Sequence, residues 1–181
     1  MKSAFVAQLL INSDVETGIP DVETGSGDPD HWLTYTTSTE DTMYRCLWTE
    51  EEASSPSRSL MIDLAPEDGY KGGALWAQSI QIEPGTYRGM DLNLEAAVMM
   101  KEVFGSGISM IVTTRSRSGR LLQAVTNEDS YSTPESRYWR ISSLRLENLS
   151  SETRTISVIL SMKSHTNGTV YFDDITLSVL K

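Results

Sequence analysis

Alternation with a period of two runs through most of this chain, and it restricts the possible fold more than any other feature. Met90, Leu92, Leu94, Ala96, Val98 and Met100 share one parity, with Asp91, Asn93 and Glu95 between the earlier members. Successive side chains of a strand point to opposite faces, so the run predicts a long strand with one buried face. The pattern recurs in Leu60/Ile62/Leu64, Ile80/Ile82, Ile108/Met110/Val112, Leu144/Leu146, Ile156/Val158/Leu160/Met162 and Ile175/Leu177/Val179. Turn signals separate the runs: Ser54-Ser55-Pro56, Asp68-Gly69, Gly72-Gly73, Pro84-Gly85, Gly105-Ser106-Gly107, Ser118-Gly119 and Asn167-Gly168. The last two predict tight hairpins. Glu95–Phe104 contains the helix formers Ala, Met and Glu, but the alternation leading into it predicts strand. Roughly ten to twelve short strands delimited by turns predict an all-β sandwich of two antiparallel sheets.

One stretch breaks the pattern. Asp14–Asp30 is rich in Asp, Glu, Gly and Pro and contains Asp-Val-Glu-Thr-Gly twice, at 14–18 and 21–25. It reads as a long loop after the first strand. No linker composition divides the chain, so residues 1–181 are expected to form one domain.

Charge narrows the partners. A formal net charge of −10 disfavours nucleic acid and anionic membrane surfaces, which need Lys and Arg to displace counterions. No apolar run approaches the roughly 18 residues of a membrane span. Arg115, Arg117 and Arg120 flank a predicted turn and read as a local surface feature. A native Met1 implies a cytoplasmic chain, and a removed signal peptide a secreted one. Cys46 is the single cysteine, so no internal disulfide forms. No base stands near it in sequence, so a buried thiol is expected rather than a nucleophile. Neither a Gly-x-Ser-x-Gly elbow nor a Walker loop occurs. Asp173 and Asp174 are adjacent in a strand and face opposite sides, which makes a poor acid/base pair. The chain is expected not to be an enzyme.

Acidic residues near both ends have a reason to meet. If the first and last strands lie side by side, Asp14, Glu16, Asp173 and Asp174 converge. Either a cation sits among them, calcium taking six to eight oxygens, or they are solvated surface carboxylates or acceptors for loop N–H groups. The parity of the last strand also shifts, from Val170 and Phe172 to Ile175, Leu177 and Val179, which predicts a bulge at Asp173-Asp174.

The two ends carry a resemblance. Asn12-Ser13-Asp14-Val15-Glu16-Thr17-Gly18 precedes a loop and Trp32, and the other end reads Tyr171-Phe172-Asp173-Asp174-Ile175. Between them lie Arg58-Ser59-Leu60, Gln78 to Tyr87 with its Pro-Gly, and Tyr138-Trp139. Together these resemble carbohydrate-binding modules of the family 4, 9, 16 and 22 type, a galactose-binding-like jelly roll. Their motifs are Asn-x-x-Phe-Glu-x-Gly early, Gln-x-Ile-x-Leu-x-Pro-Gly-x-Tyr in the middle and aromatic-x-Asp-Asp-aliphatic at the end. Val15 departs from the usual Phe. Tyr87-Arg88-Gly89 and the closing Asp-Asp strand also resemble sandwich domains attached to bacterial transcriptional regulators. The resemblance implies a jelly roll, a structural calcium ion with Glu16 and Asp174 as best-matched ligands and Asp14 the third candidate by convergence, a carbohydrate ligand, and a fused or associated catalytic or regulatory domain.

Sugar binding needs a flat aromatic face and planar polar groups. Trp32 and Trp139 stand where the family places packing aromatics. Trp76 shares parity with Ile80 and Ile82, which points to the core unless a bulge near Gln78 reverses it. Tyr44 and Trp48 share a face with Cys46 and divide evenly between core and site. Asn93 and Glu95 project outward from the long strand, and Arg115 is placed to join them from the next one, unless that face is simply solvated. The candidate ligand set is therefore Tyr44, Trp48, Trp76, Asn93, Glu95 and Arg115. Three functions compete: a carbohydrate-binding module, an intracellular sensing or protein-interaction domain without a sugar ligand, and a structural component of a surface or phage particle.

Overall fold

A computed structural model describes residues 4–21, 26–36, 44–64, 73–129 and 136–181. The strands, in chain order, are β1 (Phe5–Gln8), β2 (Gly18–Asp21), β3 (Ser26–Pro29), β4 (Leu33–Thr36), β5 (Tyr44–Thr49), β6 (Ser59–Leu64) and β7 (Ala74–Gln81). They continue with β8 (Asp91–Gly105), β9 (Ile108–Arg115), β10 (Leu121–Asp129), β11 (Ser136–Leu146), β12 (Thr155–Met162) and β13 (Thr166–Leu180). The described residues contain no helix, so Glu95–Phe104 follows its alternation and not its helix propensity. Asp68-Gly69 and Gly72 lie outside the described residues.

Two antiparallel sheets face one another. The first runs β11-β8-β13-β6-β5, with β1 paired to the end of β13, and the second runs β10-β9-β12-β7-β4. First and last strands therefore do lie side by side, with Gln8 opposite Ser178. The alternating residues meet between the sheets: Leu92, Leu94, Ala96 and Val98 from β8, Val112 from β9, and Ile156, Val158 and Leu160 from β12 are fully buried in one cluster. Burial of such side chains from both inner faces drives closure of a sandwich.

Three expectations need correction. Asp14–Asp30 is not a plain loop, because β2 and β3 form a hairpin there with Gly18 opposite Pro29. Gly18 permits this close approach: a Cβ would fall 2.5 Å from the Asp28 carbonyl and 2.9 Å from the Trp48 ring. Asn167-Gly168 is not the hairpin turn. The chain turns at Ser164-His165, and Gly168 sits inside β13 at a register shift opposite β8. Its φ of +106° and a Cβ position 2.3 Å from the Glu102 carbonyl leave room only for glycine. Trp139 is not between the sheets either. It lies half-buried on the outer face of the first sheet, in a second cluster with Met61, Met99, Tyr171 and Leu47. Ser118-Gly119 does turn as expected, linking β9 to β10.

Cys46 is half-buried, and burial pushes its thiol up to about 12, the inert state expected. Leu160 faces the centre of the cluster with no exposed surface. Leu160→Ala should cost about 2–5 kcal/mol, read as a lowered denaturation midpoint at unchanged slope.

Candidate functional site

The candidate residues separate into three places. Tyr44, Trp48 and Trp76 lie in the interior, at 7%, 1% and 2% exposure. The Trp48 indole N–H donates to the Val15 carbonyl (2.6 Å) and that of Trp76 to the Met61 carbonyl (3.1 Å). The inner parity of β5 and β7 holds these rings between the sheets, so none offers a face to a ligand in solvent. The bulge near Gln78 that would have turned Trp76 outward is absent, since β7 pairs with β12 in unbroken register from Ala74 to Gln81. Gln78 instead clamps the N-terminal segment: its amide oxygen accepts from the Ile11 N–H (2.8 Å) and its amide nitrogen donates to the Ile11 carbonyl (2.9 Å).

Asn93 and Glu95 do face outward, but from β8 in the first sheet, whereas Arg115 ends β9 in the second. They stand on opposite sides of the sandwich and cannot share one ligand. Sequence reasoning assumed that strands next in order share a sheet. Here the chain crosses from one sheet to the other between Gly105 and Ile108.

The acidic cluster is also rearranged. Glu16 Oε1 accepts from the backbone N–H of Ser57 and of Arg58 (both 3.0 Å) and from the Ser55 hydroxyl (3.0 Å), and Oε2 accepts from the Ser57 hydroxyl. The deep partner is Asp173 rather than Asp174. Asp173 is fully buried, and its carboxylate accepts from the N–H groups of Ser54 and Ser55 (both 2.7 Å), from that of Asp174 (2.7 Å) and from the Ser55 hydroxyl (2.9 Å). Asp174 is exposed with φ +47°, at the expected bulge between Asp173 and Thr176. Asp14 is exposed and offers its carbonyl to Ser55 (3.1 Å). Among the described residues no group of three or more His, Cys, Asp or Glu is placed to hold a metal. Calcium needs oxygen lone pairs, and here those of Glu16 and Asp173 face N–H and O–H donors of the 54–58 loop. The residues present do not fit the implied calcium site. This is the alternative that the sequence leaves open, acceptance from loop N–H groups; which loop supplies the donors is not visible in composition, because they are mainly backbone N–H groups and small serines.

The rest of the early motif is structural as well. Asn12 donates to the Thr17 carbonyl (2.7 Å) and accepts from the Thr17 N–H (2.9 Å), and the Trp32 indole donates to the Asn12 carbonyl (3.1 Å). These contacts pin the turn that aims Glu16 at the 54–58 loop.

The two outer faces differ sharply. On the first sheet, Asp91 pairs with Arg145, Asp63 with Arg45, and Glu52 with Lys101 (2.7 Å). The Asn148 N–H and the Arg145 guanidinium hold the Asp91 carboxyl below its usual range. The register of the second sheet sets out four cross-strand rows: Tyr35-Leu75-Ser161-Ser109-Glu128, Leu33-Ala77-Ile159-Ile111-Thr126, Ser79-Ser157-Thr113-Ala124 and Gln81-Thr155-Arg115-Leu121. Among the described side chains of this face Arg115 carries the one charge. Hydroxyl groups bond across it, Ser79 to Ser157 (2.8 Å) and Ser109 to Ser161 (2.7 Å), and Gln81 donates to Thr155 (3.0 Å). Tyr35 and Leu33, on the edge strand, are 62% and 74% exposed. Sequence reading missed this face because its residues are individually ordinary and only the register gathers them.

No family model matches the chain, and no curated protein matches it in sequence. Solved structures do match in fold. The chain superimposes on a family 16 carbohydrate-binding module at TM-score 0.58 and 18% identity, covering 93% of this chain and 98% of that one. A family 61 module solved with β-1,4-galactotriose matches at TM-score 0.53 and 14% identity, covering 95% and 98%. The enzymatically active domain of tailspike protein 4 from bacteriophage CBA120 matches at TM-score 0.61 and 14% identity, over 89% of this chain but 21% of that one. The all-β sandwich is thus the fold of carbohydrate-binding modules, and it also occurs as a small part of longer chains such as that tailspike.

Glu16 should stabilise the fold by about 1.5–3 kcal/mol, as hydrogen bonds to a charged acceptor do. Burial raises its pKa, but the Ser57, Arg58 and Ser55 donors outweigh burial and hold it below the ordinary 4.5. Its contribution is therefore complete above pH 4.5 and lost as pH falls through the lowered value. Denaturant titrations should find Glu16→Gln less stable than the parent at neutral pH, with the gap closing in acid. Excess EDTA should leave both midpoints in place.

Proposed function

We propose that the chain is a non-catalytic carbohydrate-binding module that lays a sugar chain across the outer face of β10-β9-β12-β7-β4. The observation that carries this reading is that, among the described side chains of that face, Arg115 alone is charged, in a protein where 22% of residues are charged. A solvated sheet face ordinarily carries Lys, Glu and Asp, as the opposite sheet does. Ser, Thr and Gln side chains suit the many weak donors and acceptors of a sugar, and they cost little to desolvate compared with ions. Ile111, Ile159, Leu33 and the Tyr35 ring supply the apolar and aromatic surface on which a sugar's C–H face rests. The rows extend over roughly 20 Å along the strands, enough for several sugar units.

Glycoside hydrolysis needs two carboxyl groups across the bond, and the rows of this face include one acidic position, Glu128. The shared fold of carbohydrate-binding modules supports the reading, and the matches within longer chains support attachment to a larger assembly.

Isothermal titration with neutral β-1,4-linked gluco-, xylo- and galacto-oligosaccharides tests it. At least one should bind, and Tyr35→Ala should weaken it about tenfold or more, as loss of an aromatic anchor does. Ile159→Glu, which sets a charge at the centre of the face, should abolish binding, and Asn93→Ala on the opposite sheet should change nothing. Binding that survives both Tyr35→Ala and Ile159→Glu would move the site elsewhere.

A further inference from the structure

The last row of the face runs through Gln81-Thr155-Arg115, and the chain segments next to these strand ends line an open surface depression of about 430 Å³ with Pro84, Ser116, Arg117, Ser118, Arg120 and Glu152. Ser116 follows Arg115 in the chain and Pro84 lies just past Gln81, so the depression lies at this end of the sheet.

Its charge is opposite to that of the protein. Arg115, Arg117, Arg120 and Arg154 gather at this end, against Glu83 and Glu152, in a chain of net charge −10. Glu83 is taken by Arg154 (2.6 Å) and Glu152 by Arg120 (2.8 Å). Among the described residues Arg115 and Arg117 have no acidic partner. Arg115 donates to the Gly119 carbonyl (2.9 Å), which fixes the turn carrying Arg117. Arg120 and Glu152 are both more than 60% exposed, so their pair holds weakly and Arg120 can turn to a better acceptor. The hydroxyls of Ser116 and Ser118, bonded to each other at 2.9 Å, line the same space. Guanidinium forks with adjacent hydroxyls recognise planar carboxylates and tetrahedral oxyanions.

We propose that this depression is an anion subsite at the end of the glycan face, and that the favoured glycan carries a carboxylate or sulfate there. The proposal rests on the sheet-face reading above for its sugar, and on the arginine-lined depression alone for its anion. The folded, full-length protein serves for both arms of the test.

In the first arm, inorganic sulfate is titrated into ¹⁵N-labelled protein at low salt. The amides of residues 116–120 and 151–152 should shift saturably, and Arg117→Gln should remove the effect. No shift there, or an unchanged shift in Arg117→Gln, overturns the subsite.

In the second arm, matched glycans are compared: tetragalacturonate with its methyl ester, and a sulfated carrageenan oligosaccharide with its unsulfated agarose-type counterpart. The acidic member of at least one pair should bind roughly tenfold tighter. That advantage should vanish in Arg117→Gln and in high salt, leaving neutral affinity intact. The pair that shows it tells carboxylate from sulfate. Equal affinities within both pairs overturn the acidic glycan but leave the sheet face standing. Sulfate shifts with no glycan bound, neutral or acidic, would overturn the sheet-face reading and the glycan assignment together while the anion site itself survived.

Discussion

The sandwich depends on a change of register in the middle of its last strand. β13 buries Val170 and Phe172 on one parity and Ile175, Leu177 and Val179 on the other, all with no exposed surface. A strand without a bulge would expose one of these sets, since a one-residue slip exchanges the faces. Asp173 marks the change, fully buried and fixed by donors from Ser54, Ser55 and Asp174. On one side of it β13 pairs with β6, and past it Ile175 donates to the Ser13 carbonyl (2.7 Å) before β1 takes over the same edge. The buried carboxylate thus ties the bulge to the 54–55 loop, while Ile175 and the β1 pairing join the two ends of the chain.

That closure creates the asymmetry on which the functional reading stands. The first sheet contains both chain ends and the acidic network, and its outer face is a lattice of ion pairs around an apolar cluster capped by Lys101, whose ammonium lies 5.1 Å from the Tyr171 ring. The second sheet contains neither end. Its strands meet in unbroken register between β7 and β12 and between β12 and β9, so its outer face is a regular grid of small neutral side chains. Regularity suits a repeating ligand such as a polysaccharide.

The fold was largely legible because alternation is a local signal. The inward residues of β8 from Leu92 to Met100, and those of β9, β12 and β13, follow parity, whereas Val103 joins the same cluster on the other parity, and the parity shift at Asp173-Asp174 marks the bulge. The site was much less legible. Tyr44, Trp48 and Trp76 attract attention as aromatic residues, yet the fold uses them as core, and their indole or phenol character does not reveal which face is inner. Asn93, Glu95 and Arg115 were read correctly as outward-facing but not assigned to separate sheets, because sheet membership depends on crossovers that no short segment encodes. The carboxylates of Glu16 and Asp173 were recognised as a cluster, but the donors that answer them are backbone groups of a serine loop some forty residues from Glu16 in sequence. Ser157 and Ser161 are outward by alternation in the sequence, but only the register sets them in rows with Thr113 and Ser79.

The most direct test of the account is a backbone amide chemical-shift map of the protein saturated with a neutral oligosaccharide that it binds. Perturbations should concentrate on residues 33–35, 75–81, 109–115 and 155–161 and leave Asn93, Glu95 and Ile141 unmoved. A map centred on the outer face of β8 and β11, with the hydroxyl grid silent, would contradict it.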